Sequence, residues 1–196
     1  RYARWLDRCH ALADEAELLL VVEGYTDRRY IELGLAAAGR SELLDAIAII
    51  EAGAGFGPGV GGAAMAVAQA ITLRSTTKAA VAVLLDSDEP GQQAEAQFAK
   101  IREKTKDWQP KKTLFSYRFA FSQESKQFPY EAEDLWPDHL YEGFCGSTPY
   151  SERHHGTRPR PKPEAGHHWD LTDVGKEQFL AYLADHLEAA DSAKWV

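Results

Sequence analysis

The chain has 196 residues, 44% of them hydrophobic and 27% charged, with a formal net charge of -8 from 22 Lys and Arg against 30 Asp and Glu. That composition suits one globular domain with a substantial core and excludes a disordered or fibrous chain. It also excludes a nucleic-acid binder that relies on basic charge alone, and no apolar run approaches membrane-spanning length or reads as a signal peptide. Two cysteines, Cys9 and Cys145, show no pairing pattern. They fit a reducing compartment, so a cytoplasmic protein that engages no membrane is expected. The sequence begins on Arg1 rather than Met, so a longer protein is expected around it.

In chain order, residues 2–16 place Trp5, Leu6, Cys9, Leu12 and Ala13 at helical spacing, as expected of an N-terminal linking helix. Leu18-Leu19-Leu20-Val21-Val22 is a short unbroken apolar run, which predicts a strand buried on both faces, as in a parallel sheet. Glu23-Gly24-Tyr25-Thr26-Asp27 follows, and Asp27 to Ala38 reads as a helix stopped by Gly39. A second strand is predicted over 46–50 and a small-residue helix over Ala63 to Leu73. Between them lies a glycine-rich stretch from Glu51 to Gly62. It reads as a lip beside an acidic site or as a close-packing turn. Gly57-x-Gly59-x-x-Gly62 formally matches a dinucleotide-binding fingerprint. That fingerprint normally follows the first strand, however, and glycine this dense produces the match by chance.

Val81-Ala82-Val83-Leu84-Leu85 closes the third predicted strand, 80–85, and Asp86-Ser87-Asp88-Glu89-Pro90-Gly91 leads into a helix to about Lys104. Thr113 to Phe121 reads as a fourth strand at or near an edge. Residues 129–137 contain Glu131, Glu133 and Asp134 and read as a short helix or tight turn. Residues 147–168 lack periodicity and read as a long loop. Its His154-His155 and His167-His168 pairs, with Cys145, match no common zinc spacing. Its Arg153, Arg158, Arg160 and Lys162 could touch phosphates. Asp173 to Ala190 reads as an amphipathic helix with Val174, Phe179, Leu180, Leu183 and Leu187 as its apolar stripe, capped by Thr172 or Asp173.

Open α/β sheets place ligand sites at strand C-terminal ends, so Glu23, Asp86 and Asp88 are expected to converge. Three carboxylates at one spot repel unless a cation neutralises them, and hard oxygen ligands suit Mg²⁺ or Mn²⁺. The structural alternatives are ordinary. Asp86 and Asp88 could serve turn and cap chemistry alone, and Asp27 suits the positive end of a helix dipole. Glu131 and Glu133 could belong to a solvated face with Asp138 and Glu142.

Glu23 in Val-Glu-Gly after one strand, and Asp86-Ser87-Asp88 after a later one, resemble the Toprim domain shared by topoisomerases, DnaG-type primases, RecR and OLD-family (overcoming lysogenisation defect) nucleases. Asp27, four residues beyond Glu23, makes the likeness closer to the OLD-type nucleases, and it is firmest over residues 17–105. The resemblance implies an α/β, Rossmann-like Toprim fold: a mainly parallel sheet of about four strands flanked by helices, with a C-terminal helical extension. The core would span 17–121 and the extension 122–196. It further implies metal-dependent phosphodiester cleavage, on DNA ahead of RNA, by an endonuclease using two Mg²⁺ or Mn²⁺ ions. Asp86, Asp88, Asp27 and Glu23 would serve the first ion, with Glu23 also a candidate general base. Glu131 and Glu133 would serve the second, with Asp134 able to replace either. Lys176 matches a lysine in a similar place in OLD-type nucleases and would neutralise charge on the phosphorus. Trp108, Lys111, Lys112 and Arg118 are candidate substrate contacts. An ATPase domain or partner chain, oligomerisation, and a role in anti-phage defence or DNA repair are expectations of the resemblance alone. The rivals are a non-catalytic interaction module, a primase- or topoisomerase-like activity, and an Asp-x-Asp phosphatase for small phosphoesters.

Overall fold

The computed structural model describes residues 1–56, 60–104, 114–118, 131–146, 154–159 and 167–187. At its centre is a sheet formed by β1 (Leu18–Val22), β2 (Ile47–Glu51), β3 (Ala80–Leu85) and β4 (Leu114–Arg118), in the order β2-β1-β3-β4. Every pairing is parallel, with Val21 opposite both Ile50 and Val83. The chain is thus an α/β fold of Rossmann-like type. Side chains alternate between the two faces, as strand geometry requires. Leu19, Val21, Val81, Val83 and Leu85 belong to one core, while Leu20, Val22 and Leu84 pack with the cores on the other side. Covering both faces is what makes an all-parallel sheet viable and its strands apolar throughout.

One face is covered by α1 (Tyr2–Glu15), α4 (Ala63–Thr76) and α5 (Glu89–Lys104). Trp5 and Cys9 carry α1 into this core, so the helix is an integral layer of the domain. The small residues Ala63, Ala66 and Ala70 let α4 approach the strands closely. The opposite face is covered by α2 (Tyr25–Ala37), a 3₁₀ turn (Ala132–Leu135), α6 (Asp138–Gly146) and α7 (Asp173–His186). The short helix α3 (Leu43–Ala46) leads into β2. A Schellman motif ends α2: Gly39 N–H donates to Ala36 O at 3.0 Å, and Arg40 N–H to Leu35 O at 2.8 Å. Thr172 caps α7 by accepting the Gly175 N–H at 3.0 Å.

The aromatic residues Tyr30, Trp136, Tyr141, Phe144 and Phe179 knit α2, the 3₁₀ turn, α6 and α7 into one cluster. Burying each such ring contributes roughly 1.5–3 kcal/mol. This cluster holds the C-terminal acidic segment against the sheet.

Two sequence readings are corrected. Within 147–168, residues 154–159 are β5 (His154–Pro159), which pairs antiparallel with β6 (His167–Leu171) as a hairpin rather than forming only a loop. Ladder hydrogen bonding there supplies what side-chain alternation does not reveal. Val174, expected in the apolar stripe of α7, is 57% exposed, because the buried face is set by Phe179, Leu180 and Leu183. Among the described residues no helix is long and apolar enough to cross a membrane.

Candidate metal centre

In this strand order the chain leaves β1 towards β2 and leaves β3 towards β4. The crevice therefore opens between the C-terminal ends of β1 and β3, the topological switch point of the sheet. Glu23 and Asp86 are the first residues past those two ends. The carboxylate of Glu23 crosses the crevice, and its Oε1 accepts the Asp86 backbone N–H at 2.8 Å. Gly91 keeps the Asp86 loop tight. A Cβ at position 91 would lie 2.0 Å from the Asp86 carbonyl oxygen, so the loop can close only over glycine.

The acids differ in how far they are occupied. Asp88 Oδ1 accepts the Gly91 N–H at 2.8 Å and so shapes the start of α5. Asp27 is buried, and its Oδ2 accepts the Gly24 N–H at 2.9 Å at the start of α2. The cap roles expected as the ordinary alternative are therefore present at Asp88 and Asp27, with one carboxylate oxygen engaged in each. Asp86 retains some exposed surface, yet its Oδ1 is sealed from solvent with no hydrogen-bond partner.

The 3₁₀ turn brings a further group of acids to the same place. Asp134 closes the turn by accepting the Glu131 N–H at 3.0 Å, which gives it a structural task distinct from that of its neighbours. Glu131 Oε2 accepts from Lys176 Nζ at 2.8 Å. Glu133 is 1% exposed; its Oε1 lies 3.1 Å from Lys176 Nζ but outside hydrogen-bonding geometry, so both its oxygens lack a hydrogen bond. Tyr30, from the middle of α2, donates its hydroxyl to the Lys176 backbone carbonyl at 3.1 Å and fixes the first turn of α7 over this group.

The electrostatics join the two sets of acids into one site. Burial pushes the Glu23 carboxyl up to about 7, assisted by the charges of Asp27 and Asp88 and opposed by the Asp86 N–H. Asp27 is raised to about 6, chiefly by burial, with Lys176 opposing and Glu131 adding. Asp86 is raised well above the usual carboxylate range by burial and then by Asp27, Glu133, Glu23 and Glu131. Glu133 is raised to about 7 by burial, with Lys176 opposing. Burial disfavours the charge on Lys176, but Glu133, Glu131 and Asp86 outweigh it and the net shift is upward. These residues come from four separate stretches of chain and feel one another's charge, as functional sites characteristically do.

The chemistry of the donor set, though not its present spacing, suits a hard divalent cation. Asp86 Oδ1 and both Glu133 oxygens are buried acceptors without hydrogen bonds, which is costly unless a cation or further donors satisfy them. All the candidate ligands are carboxylate oxygens, as Mg²⁺ and Mn²⁺ prefer. Among the described residues, no group of three or more His, Cys, Asp or Glu side chains is drawn together closely enough to hold an ion as it stands. Lys176 instead supplies the positive charge between Glu131 and Glu133.

A hollow of about 940 Å³ opens beside Glu23, walled also by Tyr25, Glu51, Gly53, Gly62 and Asp173. Its glycine-rich wall is stitched to the site, since Gly62 N–H donates to the Glu23 carbonyl at 3.1 Å. At Gly53, with φ +75°, a Cβ would lie 1.8 Å from the Val60 carbonyl oxygen, so the loop doubles back there on glycine alone. Gly57 and Gly59 of the dinucleotide fingerprint lie outside the described residues. So do Trp108, Lys111, Lys112, Arg153, Arg160 and Lys162, together with the side chains of Arg118 and Arg158. The His154-His155 and His167-His168 pairs fall on β5 and β6, with His154 opposite Leu171 and His168 opposite Arg158.

Sequence reasoning overlooked Tyr30, whose only signal is a helical position that also reads as core. It also overlooked the engagement of Glu51 by Arg28 at 3.3 Å, which carries no spacing signal. No family model, no curated protein and no solved structure matches the chain.

Proposed function

We propose that the chain is a divalent-cation-dependent nuclease of Toprim type, closest in its acidic pattern to the OLD-family enzymes, that hydrolyses phosphodiester bonds in DNA ahead of RNA. The observation that carries this reading is the convergence of Glu23, Asp27, Asp86, Glu131, Glu133 and Lys176 at the switch point of the sheet. Asp86, Asp27 and Glu23, with Asp88, would hold one Mg²⁺ or Mn²⁺, and Glu131 and Glu133 a second. Such cations would supply Lewis-acid polarisation of the phosphate and stabilisation of the attacking and leaving oxygens. Glu23, with its carboxyl near 7, is suited to take the proton of the attacking water as the new P–O bond forms. Lys176 places a permanent positive charge beside the acids, where negative charge builds on the phosphate oxygens as the P–O bond to the leaving group breaks. An ATPase domain or partner chain, and a place in defence or repair, extend this reading through the family resemblance.

A second reading has one observation in its favour. Lys176 already neutralises part of the acidic group from within, as a non-catalytic interaction module would require. Incubation with supercoiled plasmid and with structured RNA, in Mg²⁺ or Mn²⁺, separates the two. The nuclease reading expects metal-dependent products and a loss of about 10²–10³-fold with Asp86→Ala. No product under any of these conditions would favour the interaction module.

A further inference from the structure

A second cavity, of about 460 Å³, lies between α1, the end of β2 and the start of α2. Its walls carry four arginines, Arg1, Arg4, Arg8 and Arg28, over an apolar floor that includes Cys9 and Ile50. Arg1, Arg4 and Arg8 recur at helical spacing and so share one face of α1. Arg28 is engaged by Glu32 at 2.7 Å and Glu51 at 3.3 Å, and Arg1 donates to the Phe56 carbonyl at 2.9 Å. Arg4 and Arg8 are exposed and pair with no carboxylate among the described residues. Glu51 is the cavity's single acidic wall residue among those described, and Arg28 already holds it.

Exposed arginines are ordinarily just solvated, but three features set these apart. They concentrate positive charge on one face of a chain whose net charge is -8. They border a concave site of small-ligand dimensions. That site also runs into the hollow beside Glu23, because Arg1, Glu51, Ala54 and Gly55 wall both. A planar guanidinium fork suits phosphate oxygens, and Arg4 and Arg8 stand one helical turn apart along α1.

We propose that this cleft seats the sugar-phosphate backbone of a single nucleic-acid strand leading to the acidic crevice, with Arg4 and Arg8 each contacting a phosphate. This rests on the reading of the acidic crevice as a nuclease site. It explains how an acidic chain attracts a polyanion: the charge that positions the strand lies apart from the charge that reacts with it.

The test is binding of a 5′-fluorescein-labelled 20-nucleotide oligo(dT) to the intact chain, by fluorescence anisotropy with Ca²⁺ in place of Mg²⁺, over a range of salt. The Arg4→Gln, Arg8→Gln double variant is compared with the parent. Each lost single-strand phosphate contact removes about 0.7 from the slope of log K against log salt. The double variant is therefore expected to bind roughly 20-fold more weakly at 0.1 M salt, with a slope shallower by about 1.4. Hydrolysis of bis(p-nitrophenyl) phosphate, too short to reach the cleft, should be unchanged. A parent that does not bind the strand, or a double variant that binds within twofold of it with the same slope, overturns the cleft. A parent that binds in this arginine-dependent way yet cuts nothing in Mg²⁺ or Mn²⁺ keeps the cleft and removes the nuclease. A chain that cuts equally well with and without Arg4 and Arg8 does the reverse.

Discussion

The Glu23 carboxylate and the Asp86 backbone N–H meet at 2.8 Å, tying the ends of β1 and β3 across 63 residues of chain. The same oxygen that closes this link belongs to the group best placed to accept a proton, so structure and chemistry can be separated by mutation. Glu23→Gln keeps an acceptor for Asp86 N–H and should melt within about 2 °C of the parent, while losing 10²-fold or more in metal-dependent cleavage. Glu23→Ala leaves that N–H unsatisfied and should cost a further 1–3 kcal/mol, roughly. Thermal melts beside plasmid cleavage check both; equal melting of the two variants would contradict the structural half.

Lys176 bridges Glu131 at 2.8 Å and lies 3.1 Å from the buried Glu133. Lys176→Met strands those carboxylates and is expected to destabilise the chain at neutral pH by roughly 3–5 kcal/mol. Adding Glu133→Gln should recover most of that stability without recovering cleavage. A double-mutant cycle in denaturant midpoint and in rate checks this, and recovery of both together would make Lys176 merely structural.

The raised carboxyls set a direction for stability against pH. Glu23 and Glu133 ionise near 7 in the fold, against an ordinary 4.5, and Asp27 near 6, against 3.8, burial being the first cause in each. The folded chain therefore holds more protons than the unfolded chain between about pH 4 and 7. The stability these groups contribute is fully present below pH 4 and is lost as pH rises through 7. The melting temperature without metal should fall across that window, at roughly 2–4 °C per kcal/mol. The fall should be smaller in the Glu23→Gln, Glu133→Gln double variant, which removes two of the titrating groups. Mg²⁺ or Mn²⁺ should raise the melting temperature more at pH 7.5 than at pH 5. Calorimetry at both values, with and without metal, decides it.

Gly53→Ala puts a methyl into the Val60 carbonyl at a positive φ and should displace the glycine-rich wall. A destabilisation of roughly 2 kcal/mol or more is expected. Because Gly62 ties that wall to the Glu23 carbonyl, loss of cleavage should accompany it. Gly55→Ala meets no atom within 4 Å, carries strain from its positive φ alone, and is the milder comparison.

Much of this arrangement was legible in the chain itself. Continuous apolar runs at Leu18–Val22 and Ala80–Leu85 can be satisfied only between two helical layers, and that requirement placed Glu23 and Asp86 on a common edge. The terminal helix was equally readable from Phe179, Leu180 and Leu183, but the side on which Val174 falls was not, because one exposed apolar residue hardly changes a helical pattern. The β5–β6 hairpin left no alternation to find, since β5 reads His-His-Gly-Thr-Arg-Pro and β6 reads His-His-Trp-Asp-Leu. The stretch from Glu131 to Asp134 announced its acids but not their division of labour. That depends on which carboxylate faces Lys176 from 45 residues away and which turns back to its own backbone.

The nuclease chemistry requires that the acids at the ends of β1 and β3 accept a divalent ion. Anomalous scattering from a crystal of the protein soaked in Mn²⁺ locates such an ion directly. The expected result is a manganese peak in the crevice within coordinating distance of Asp86 and Glu23, with Asp27 oriented towards it. Full-strength diffraction with no peak there at saturating Mn²⁺, and with Lys176 as the only cation in contact with the acids, would contradict it.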